Sequence, residues 1–588
     1  MDTVLECLRD KAESAPNAKA IFTHSPESGW SGVSWKSVCD TVIVLSNVLT
    51  ERGVKPGDRL AIIAPNGLKW ELAHFAALAA GAVVVGLDAH DTPERLQKIL
   101  RHASVTALVI DSDKILAKLG NAIENAKIIL SLSPSAQLRS NPAYVFWDAA
   151  IPAKSIAAKG ALRLPLRTAP ATIIYTSGTT GDPKGILYTH GQLALACETI
   201  LAALPPPRSG ARFVCWLPLS NLFQRVMNLC GIASGASLYM VADPLRVLEF
   251  VAEIQPDVFI GVPRFYEKLA LGIKSKLAAE QGLKRFLAQY ALNIGQCYAD
   301  LKRSGKAPGM ALTLQYKLAD RLVLRRLRAL MGSRLQYMIS GSAPIPKWIL
   351  EYFQSFGWLL LEAYGLSENM LPIAMNTPNA YRFGSVGRVL PGNELQFADD
   401  GELLVRGPGL FDGYLGVPGS FANAIEGGFY RTGDIGKVDE SGFLSLTGRK
   451  SEIIKTTAGR RIALPVVEAV LRELPWVDHA VVFGSGRKCL TAILTRAPGG
   501  AEKSDEAALS SALAAHIDAR LAAHERPAAF TLLPRAFSVD GGELTPNLKL
   551  RRIEIERKYK AVIENMFEKL DQPALQSSST PILVEVHE

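Results

Sequence analysis

The chain has 588 residues, of which 48% are hydrophobic and 21% charged, and it carries 65 Lys and Arg against 56 Asp and Glu. This composition is ordinary for a folded globular protein, so it excludes a small binding module, a disordered chain and a collagen-like repeat. The net charge of +9 is a modest excess for this length, so nucleic acid is only one of several acidic partners to consider.

The cysteines and the N-terminus favour a cytoplasmic protein. The seven cysteines are dispersed without a C-x-x-C pair, which suggests neither a zinc site nor a disulfide framework. Acidic residues interrupt the first apolar residues, which therefore predict an amphipathic helix rather than a signal peptide. The most apolar long stretch, residues 72–88, contains His74 and breaks at Gly81, so we expect a helix and a buried strand rather than a membrane span.

From Asp58 onward, short apolar runs alternate with amphipathic stretches. This βαβα rhythm predicts an α/β fold in which right-handed crossovers join the parallel strands of a doubly wound sheet. Sites in such sheets lie at the carboxyl ends of the strands. The alternating segments are residues 60–63 and 68–80, 83–87 and 93–102, and 107–110 and 114–119.

Two later regions break this rhythm. Residues 264–335 are helical in pattern and basic, with 15 Lys and Arg against four Asp and Glu. Residues 383–448 show short β-type runs with glycine turns, and a smaller α+β pattern begins at Arg449. We therefore predict a large N-terminal domain of residues 1–448 that includes both regions, a smaller C-terminal domain of residues 449–570, and a flexible tail of residues 571–588.

The core of the basic insert, residues 318–328, has leucines at helical spacing with arginines between them. One interpretation is a packed helix with a solvated cationic face. The other is a surface that attracts anionic lipid headgroups, which would place the protein peripherally at the inner face of a membrane. The pattern leaves both interpretations open.

The strongest local signal is the string IIYTSGTTGDPKGILYTH at residues 173–190. Small residues let backbone N–H groups approach an anion, hydroxyls add donors, and a lysine adds charge. The string is not a Walker A loop, because Pro183 and Gly185 flank the lysine. It predicts a polyphosphate cradle made by Thr176, Ser177, Gly178, Thr179, Thr180, Gly181 and Lys184.

Seven further motifs follow the order and spacing of one known family: LPLSNLFQR (217–225), GVPRFYEK (261–268), SGSAP (340–344), YGLSE (364–368), YRTGDIG (430–436), GRKSEIIK (448–455) and LTPNLKLRR (544–552). With them the chain resembles the adenylate-forming superfamily of acyl-CoA synthetases, peptide-synthetase adenylation domains and luciferases, over about residues 10–570. GVPRFYEK, the helical insert and LTPNLKLRR are most similar to the long-chain fatty acyl-CoA synthetases.

The resemblance implies a two-step reaction. A carboxylate attacks the α-phosphate of ATP, giving acyl-AMP and pyrophosphate, and a thiol then displaces AMP to give a thioester. The implied cofactors are ATP and Mg²⁺, with CoA as the acceptor and a medium- or long-chain fatty acid as the substrate. The alternative is an acyl carrier protein as the acceptor, or a specialised, for example aromatic, acid. No nucleic-acid partner is expected.

The same resemblance implies catalytic roles for three residues. Glu368 is similar to the family's magnesium ligand, and Thr176 would supply a second oxygen, as suits Mg²⁺. Lys549 corresponds to the C-terminal lysine that stabilises charge while the α-phosphate is attacked. Because an anion attacks an anion in this step, catalysis depends on positioning and positive charge.

The nucleotide slot is implied by further motif positions. Tyr364 would stack on the adenine, and Asp434 with Arg449 would bind the ribose. Ser367 would donate toward a phosphate. The walls would be completed by Gly341, Ser342, Ala343 and Pro344 on one side and by Glu362, Ala363, Gly365 and Leu366 on the other.

Lys549 belongs to the small domain and the cradle to the large one, so the implied adenylation requires domain closure. The family's mobile C-terminal domain then rotates for the thiol step, pivoting near GRKSE. At the usual pivot position this chain has Ser451 in place of Asp or Lys.

Other positions also depart from the family pattern. Asn221 replaces a histidine that borders the substrate carboxylate in the long-chain subgroup, and it is the candidate substrate residue. Gln224 replaces a common glutamate. Arg460 and Arg461 add positive charge near the expected thiol entrance, which suits CoA phosphates or an acidic carrier protein.

Overall fold

A computed structural model of the chain describes residues 1–151, 160–176, 183–497, 506–539, 541–544, 549–570 and 581–584. The helices are α1 (Val4–Ser14), α2 (Trp35–Glu51), α3 (Leu68–Ala79), α4 (Pro93–His102), α5 (Asp113–Leu119), α6 (Trp147–Ala150), α7 (His190–Ala203), α8 (Leu222–Ser234), α9 (Val247–Ile254), α10 (Pro263–Ala279), α11 (Gly282–Arg303), α12 (Met310–Ala319), α13 (Arg325–Arg328), α14 (Lys347–Ser355), α15 (Ser420–Ala424), α16 (Leu464–Leu471), α17 (Glu506–Asp518), α18 (Arg552–Lys558) and α19 (Lys560–Leu570).

The strands are β1 (Lys19–Ser25), β2 (Gly29–Ser34), β3 (Arg59–Ile63), β4 (Val83–Leu87), β5 (Val105–Ile110), β6 (Ile128–Ser131), β7 (Tyr144–Phe146), β8 (Pro170–Thr176), β9 (Lys184–Thr189), β10 (Arg212–Cys215), β11 (Ser237–Met240), β12 (Val258–Gly261), β13 (Tyr337–Ser340), β14 (Leu360–Tyr364), β15 (Ala374–Met375), β16 (Gly387–Val389), β17 (Glu394–Phe397), β18 (Glu402–Arg406), β19 (Ile425–Glu426), β20 (Phe429–Val438), β21 (Phe443–Arg449), β22 (Ile453–Lys455), β23 (Arg461–Ala463), β24 (Val477–Phe483), β25 (Leu490–Arg496), β26 (Pro527–Leu533) and β27 (Ile582–Leu583).

The first sheet carries the predicted βαβα rhythm. Its strand order is β7-β6-β5-β3-β4-β8-β9. Every neighbouring pair is parallel except β8 and β9. The inner strand β4 is buried along its whole length, as expected where helices cover both faces of a parallel sheet. Thr176 ends β8 and lies opposite Lys184, which begins β9, so two predicted cradle residues share one edge of this sheet.

The second sheet joins two kinds of pairing. From β14 through β13, β12, β10 and β11 to β1 its strands are parallel. From β14 onward to β17 the pairs are antiparallel, and this part contains the glycine-rich region after residue 383. The predicted α/β fold class is therefore confirmed.

The basic insert forms helices between β12 and β13. Helices α10 to α13 lie there, and a π-helical segment (Asp320–Leu324) connects α12 to α13. Among the described residues, every helix is too short or too polar to span a bilayer.

A buried polar network joins α3 to α8. The Arg225 side chain is 1% exposed, and burial lowers its pKa to about 10. It donates to the Thr172 hydroxyl over 2.7 Å and lies 5.5 Å from the Trp70 ring centroid. Asn228 donates to Glu71 over 2.6 Å. Because unpaired buried polar groups are costly, this network specifies how α8 sits between the two sheets.

The small domain holds a hairpin of β22 and β23 and a four-stranded sheet in the order β24-β25-β26-β27. The prediction of a flexible tail over residues 571–588 is wrong for residues 581–584. Ile582 and Leu583 pair in parallel with β26, and the buried Val584 accepts a hydrogen bond from Thr531 over 2.8 Å. These apolar residues extend the sheet because an edge strand leaves backbone groups to be paired.

A Phe353→Ala variant tests how much the packing of the large-domain core contributes to stability. Its fully buried ring contacts Tyr266, Phe356 and Trp358, with centroids 6.3, 5.8 and 5.4 Å away. We expect Phe353→Ala to lower the free energy of unfolding by about 3–5 kcal/mol, because it leaves a cavity. Phe397→Ala, at a ring that is 40% exposed, should cost less than about 1 kcal/mol. Equal urea midpoints for the two variants would contradict the packing described.

Candidate active site

Tyr414 connects two of the predicted motifs. The Lys184 Nζ atom lies 5.0 Å from the Tyr414 ring centroid, which is a cation–π distance. The Tyr414 hydroxyl donates to Glu368 Oε1 over 2.7 Å. Lys184 from the cradle and Glu368 from YGLSE therefore contact the same aromatic side chain, one at its ring and the other at its hydroxyl.

Sequence reasoning missed Tyr414. The chain around it is held to β9 by an isolated bridge between Ile186 and Tyr414, and Leu415 N–H donates to the Gly185 carbonyl over 2.8 Å. Burial and the nearby Glu368 carboxylate raise the pKa of Tyr414, so the phenol remains a donor at neutral pH. Tyr414 lies in none of the sequence motifs described above, so the sequence did not mark it as functional.

The predicted magnesium ligands fit a hard cation. Glu368 is half-buried, and within the described chain only Tyr414 binds its side chain, through Oε1. Thr176 is half-buried at the end of β8, beside Lys184 in register. A carboxylate and a hydroxyl next to the predicted phosphate cradle would form a donor set that suits Mg²⁺.

Much of the predicted cradle lies outside the described residues, namely Ser177, Gly178, Thr179, Thr180 and Gly181.

The strand that enters the cradle is held by Arg95. Its guanidinium donates to the Thr176 carbonyl over 3.2 Å and pairs with Asp91 over 3.1 Å. Arg95 was not predicted, since it lies in α4, 81 residues before the strand end that it holds.

Tyr364, Asp434 and Arg449 form one hydrogen-bonded chain. The Tyr364 hydroxyl donates to Asp434 Oδ2, and Arg449 Nε donates to Asp434 Oδ1 over 2.9 Å. Asp434 is only 4% exposed. Each carboxylate oxygen has a second lone pair, so this aspartate can also accept from two further hydroxyls. The three predicted nucleotide residues are thus brought together.

The SGSAP turn contains a strained serine and a glycine that packs closely on an aromatic ring. Ser342 has φ +74°, a left-handed conformation that non-glycine residues rarely adopt. A Cβ on Gly341 would lie 3.3 Å from the Phe223 ring, so glycine allows this close approach.

Burial raises the pKa of Glu362 to about 8, although hydrogen bonds from the backbones of Gly384 and Ile345 act to lower it. The Glu362 side chain, which belongs to β14, therefore accepts from the backbone of Ile345 just after the turn and holds the turn to that strand.

The remaining predicted slot residues line the same region. Ala343 and Pro344 are exposed in the SGSAP turn, as is Gly365 after β14, whereas Leu366 is buried. Ala363 pairs with Met375, and the Ser367 carbonyl accepts from the Tyr188 hydroxyl over 2.5 Å. Here the Ser367 contact involves its backbone.

Lys549 lies beside the Arg449 group although it belongs to the small domain. The residue keeps solvent contact, but dense protein surrounds it. Burial and the positive charge of Arg449 lower the pKa of Lys549, and the Glu452 carboxylate opposes them. The predicted catalytic lysine and the predicted ribose residue therefore lie within electrostatic reach of each other.

The expected pivot follows an anchored residue. Lys450 pairs with Asp400 over 2.6 Å and with Glu402 over 3.1 Å, which ties it to the large domain. Ser451, the next residue, is exposed.

The departures at Asn221 and Gln224 have structural explanations. Asn221 Oδ1 accepts from the Phe223 N–H over 2.9 Å and caps α8, while its side chain stays half-buried. Gln224 is 1% exposed and accepts from the N–H of Trp216 and Leu217 over 3.3 and 3.1 Å. Its amide also donates to Asn228, a bond that an ionised glutamate could not make.

Ion pairs dock the small domain on α10. Arg264 pairs with Asp478, and Lys268 lies 3.9 Å from the same carboxylate. Glu267 pairs with Arg472 over 3.0 Å. Both acids are at least nine-tenths buried, so these pairs are largely shielded from solvent. Sequence reasoning missed this cluster, because its members are more than 200 residues apart.

Family models match most of the chain. The AMP-binding enzyme model matches residues 8–415, and the AMP-binding enzyme C-terminal domain model matches residues 451–571. The chain belongs to the AMP-binding enzyme family. The predictions of an adenylate-forming enzyme and of its likeness to fatty acyl-CoA synthetases are confirmed.

The enzyme resembles its relatives along nearly its whole length. It is 33% identical over 575 residues to the long-chain-fatty-acid–CoA ligase FadD15 of Mycobacterium bovis, covering 93% of this chain and 94% of that protein. It is 28% identical over 576 residues to the long-chain-fatty-acid–CoA ligase ACSBG2 of Homo sapiens, covering 88% of this chain and 85% of that protein.

Solved structures share the fold. The adenylation domain of a carboxylate reductase from Mycobacterium chelonae superposes with a TM-score of 0.79 at 20% identity, covering 96% of this chain and 91% of that one. O-succinylbenzoate coenzyme A synthetase from Bacillus subtilis, in complex with ATP and magnesium ion, gives a TM-score of 0.69 at 20% identity, with 94% and 99% covered.

Asp478 tests the docking of the small domain. Burial would raise its pKa, but the His479 hydrogen bond and the Arg264 charge hold the pKa at about 2. We expect Asp478→Asn to loosen the docked pose, because it removes the small-domain carboxylate that pairs with Arg264 and Lys268, and Arg264 then keeps Glu267 of its own helix as its partner. The radius of gyration from small-angle scattering should then rise.

The matched control is Asp518→Asn. Asp518 pairs with Arg526 inside the small domain, so its loss should leave the scattering profile unchanged. A profile for Asp478→Asn that matches the wild type would show that these ion pairs do not hold the domains together.

Proposed function

We propose that the enzyme activates a medium- or long-chain fatty acid with ATP and transfers the acyl group to CoA. One observation carries this proposal: Tyr414 contacts Lys184 and Glu368, Tyr364 and Arg449 both bind Asp434, and Lys549 of the small domain lies within electrostatic reach of Arg449. The likeness to fatty-acid–CoA ligases along nearly the whole chain supports the choice of acid and acceptor.

In the first step a fatty carboxylate oxygen bonds to the α-phosphorus of ATP while the bond to pyrophosphate breaks. Lys184 and Lys549 supply positive charge for this approach of two anions. Asp434 and Arg449 hold the ribose, and Glu368 with Thr176 would hold Mg²⁺. When bound, that ion would neutralise phosphate charge.

In the second step the CoA thiol attacks the acyl carbonyl, its proton is lost, and AMP leaves. The small domain rotates between the steps, pivoting at Ser451. The anchoring of Lys450 to Asp400 and Glu402 supports this pivot, since the chain is held up to that residue and is exposed immediately after it. The α10 ion pairs must break during the rotation.

An acyl carrier protein is the second candidate acceptor. Arg460 and Arg461 are both exposed in the small domain, close in sequence to the pivot. These cations would attract either the phosphates of CoA or the acidic surface of a carrier protein. We place the enzyme in the cytoplasm, which the dispersed cysteines of its sequence support.

A panel of acids tests the proposal. Purified enzyme with ATP and Mg²⁺ should release pyrophosphate fastest with medium- or long-chain fatty acids and more slowly with short-chain or aromatic acids. With CoA added, mass spectrometry should detect acyl-CoA; a product formed only with carrier protein would select the second acceptor. No pyrophosphate from any acid would refute adenylation.

A Lys549→Ala variant tests whether this lysine acts in adenylation and not in thioester formation. We expect Lys549→Ala to slow adenylation by about 100- to 1,000-fold, because it removes one transition-state charge contact. Thioester formation from supplied acyl-AMP should stay near the wild-type rate. Lys560→Ala removes an exposed lysine of the same domain and should change neither step. Equal loss of both steps in Lys549→Ala would contradict a rotating small domain.

A further inference from the structure

An exposed apolar stripe runs along α12 and into the π-helical segment. Met310, Leu314, Leu318 and Leu322 are spaced four residues apart, and they are 91%, 71%, 59% and 43% exposed. Residues four apart lie on one helix face, so these side chains form a continuous row. We call this row the leucine stripe. Scattered exposed leucines are ordinary, but a row of four is an unpartnered surface.

The opposite face of the same helix is firmly packed. Tyr316 stacks on Tyr298 with ring centroids 4.0 Å apart, and Leu324 is fully buried and contacts Gly295 of α11. Ala319 is 5% exposed. The leucine stripe is therefore the outer face of a helix that is already anchored to the domain, and folding of the domain does not require it to be covered.

A row of cations runs beside the stripe. Lys317, Arg321 and Arg325 are exposed and again four residues apart, each three residues after a member of the stripe. None of the three has an ion-pair partner among the described residues. The acid in this segment, Asp320, is neutralised by Arg328 over 2.6 Å. The outer face thus combines apolar side chains with uncompensated positive charge.

We propose that this face docks the enzyme on an anionic phospholipid bilayer. A leucine row can enter the boundary between headgroups and acyl chains while the adjacent cations meet lipid phosphates. The insert as a whole carries 15 Lys and Arg against four Asp and Glu, an excess larger than the net charge of the whole chain. Charge complementarity to anionic headgroups therefore selects a membrane over a neutral apolar partner. The sequence left open a packed helix and a lipid-binding surface. In this proposal one helix is both, because one of its faces packs on the domain and the other binds lipid.

Flotation of the purified full chain with vesicles tests this surface without any substrate. We expect the chain to float with phosphatidylcholine vesicles that contain phosphatidylglycerol and not with pure phosphatidylcholine vesicles. High salt should reduce the bound fraction, because it screens the headgroup attraction. Failure of the wild-type chain to float with the anionic vesicles at low salt would overturn the proposal, whatever acid the enzyme activates.

Two variants separate the apolar and the electrostatic contributions. Leu314→Ser, Leu318→Ser and Leu322→Ser together should lower the partition coefficient by about tenfold or more, because they remove the inserting side chains. Lys317→Gln, Arg321→Gln and Arg325→Gln together should abolish the preference for anionic vesicles. If either variant floats like the wild type, this face is not the docking surface.

The control variant changes the same charge elsewhere. Lys19→Gln, Lys114→Gln and Lys437→Gln remove three exposed lysines outside the insert and should leave flotation unchanged. Size-exclusion chromatography without lipid tests whether the stripe serves self-association, and we expect the wild type and the leucine variant to elute alike. A wild-type dimer that the leucine variant converts to a monomer would assign the face to a second copy and overturn the lipid proposal.

Discussion

The closeness of Arg449 and Lys549 is the constraint on which this site depends. Two cations repel each other, yet adenylation as proposed needs positive charge from both domains at one place. Asp434 binds Arg449, and Glu452 offsets the charge around Lys549. The buried pairs between α10 and the small domain add docking energy at a distance from the chemistry. The observed pose is therefore an electrostatic balance, which suits the proposed rotation of the small domain.

Tyrosine hydroxyls hold several groups of the large-domain half of the site. Tyr414 holds Glu368 and supports Lys184, and Tyr364 holds Asp434. Tyr188 binds the Ser367 carbonyl in the same region. Burial keeps these phenols protonated, so each donates a hydrogen bond to a carboxylate or carbonyl without adding a charge. The carboxylates of Glu368 and Asp434 are thus held in place by phenol donors.

The proposed lipid-binding face and the proposed pivot use charge differently. At the pivot, Lys450 is paired with carboxylates of the large domain and serves as an anchor. Beside the leucine stripe, Arg321 and Arg325 have no carboxylate partner among the described residues and remain available to an external anion. A substrate with a long acyl chain partitions into bilayers, so docking there would place the enzyme where that substrate is concentrated.

The sequence by itself determined the parts of this protein that are local. Apolar periodicity predicted the α/β strands and helices. The cradle string marked Lys184, because the chemistry of a loop lies in neighbouring residues, and the family resemblance of contiguous motifs implied roles for Glu368 and Asp434. Only the tertiary structure decided which distant groups meet. Tyr414 reaches Glu368 across 46 residues, and Arg264 reaches Asp478 across 214. The pairing of residues 582–583 with β26 is of the same kind. Such contacts depend on how whole sheets and domains pack, and no short spacing in the chain encodes that packing.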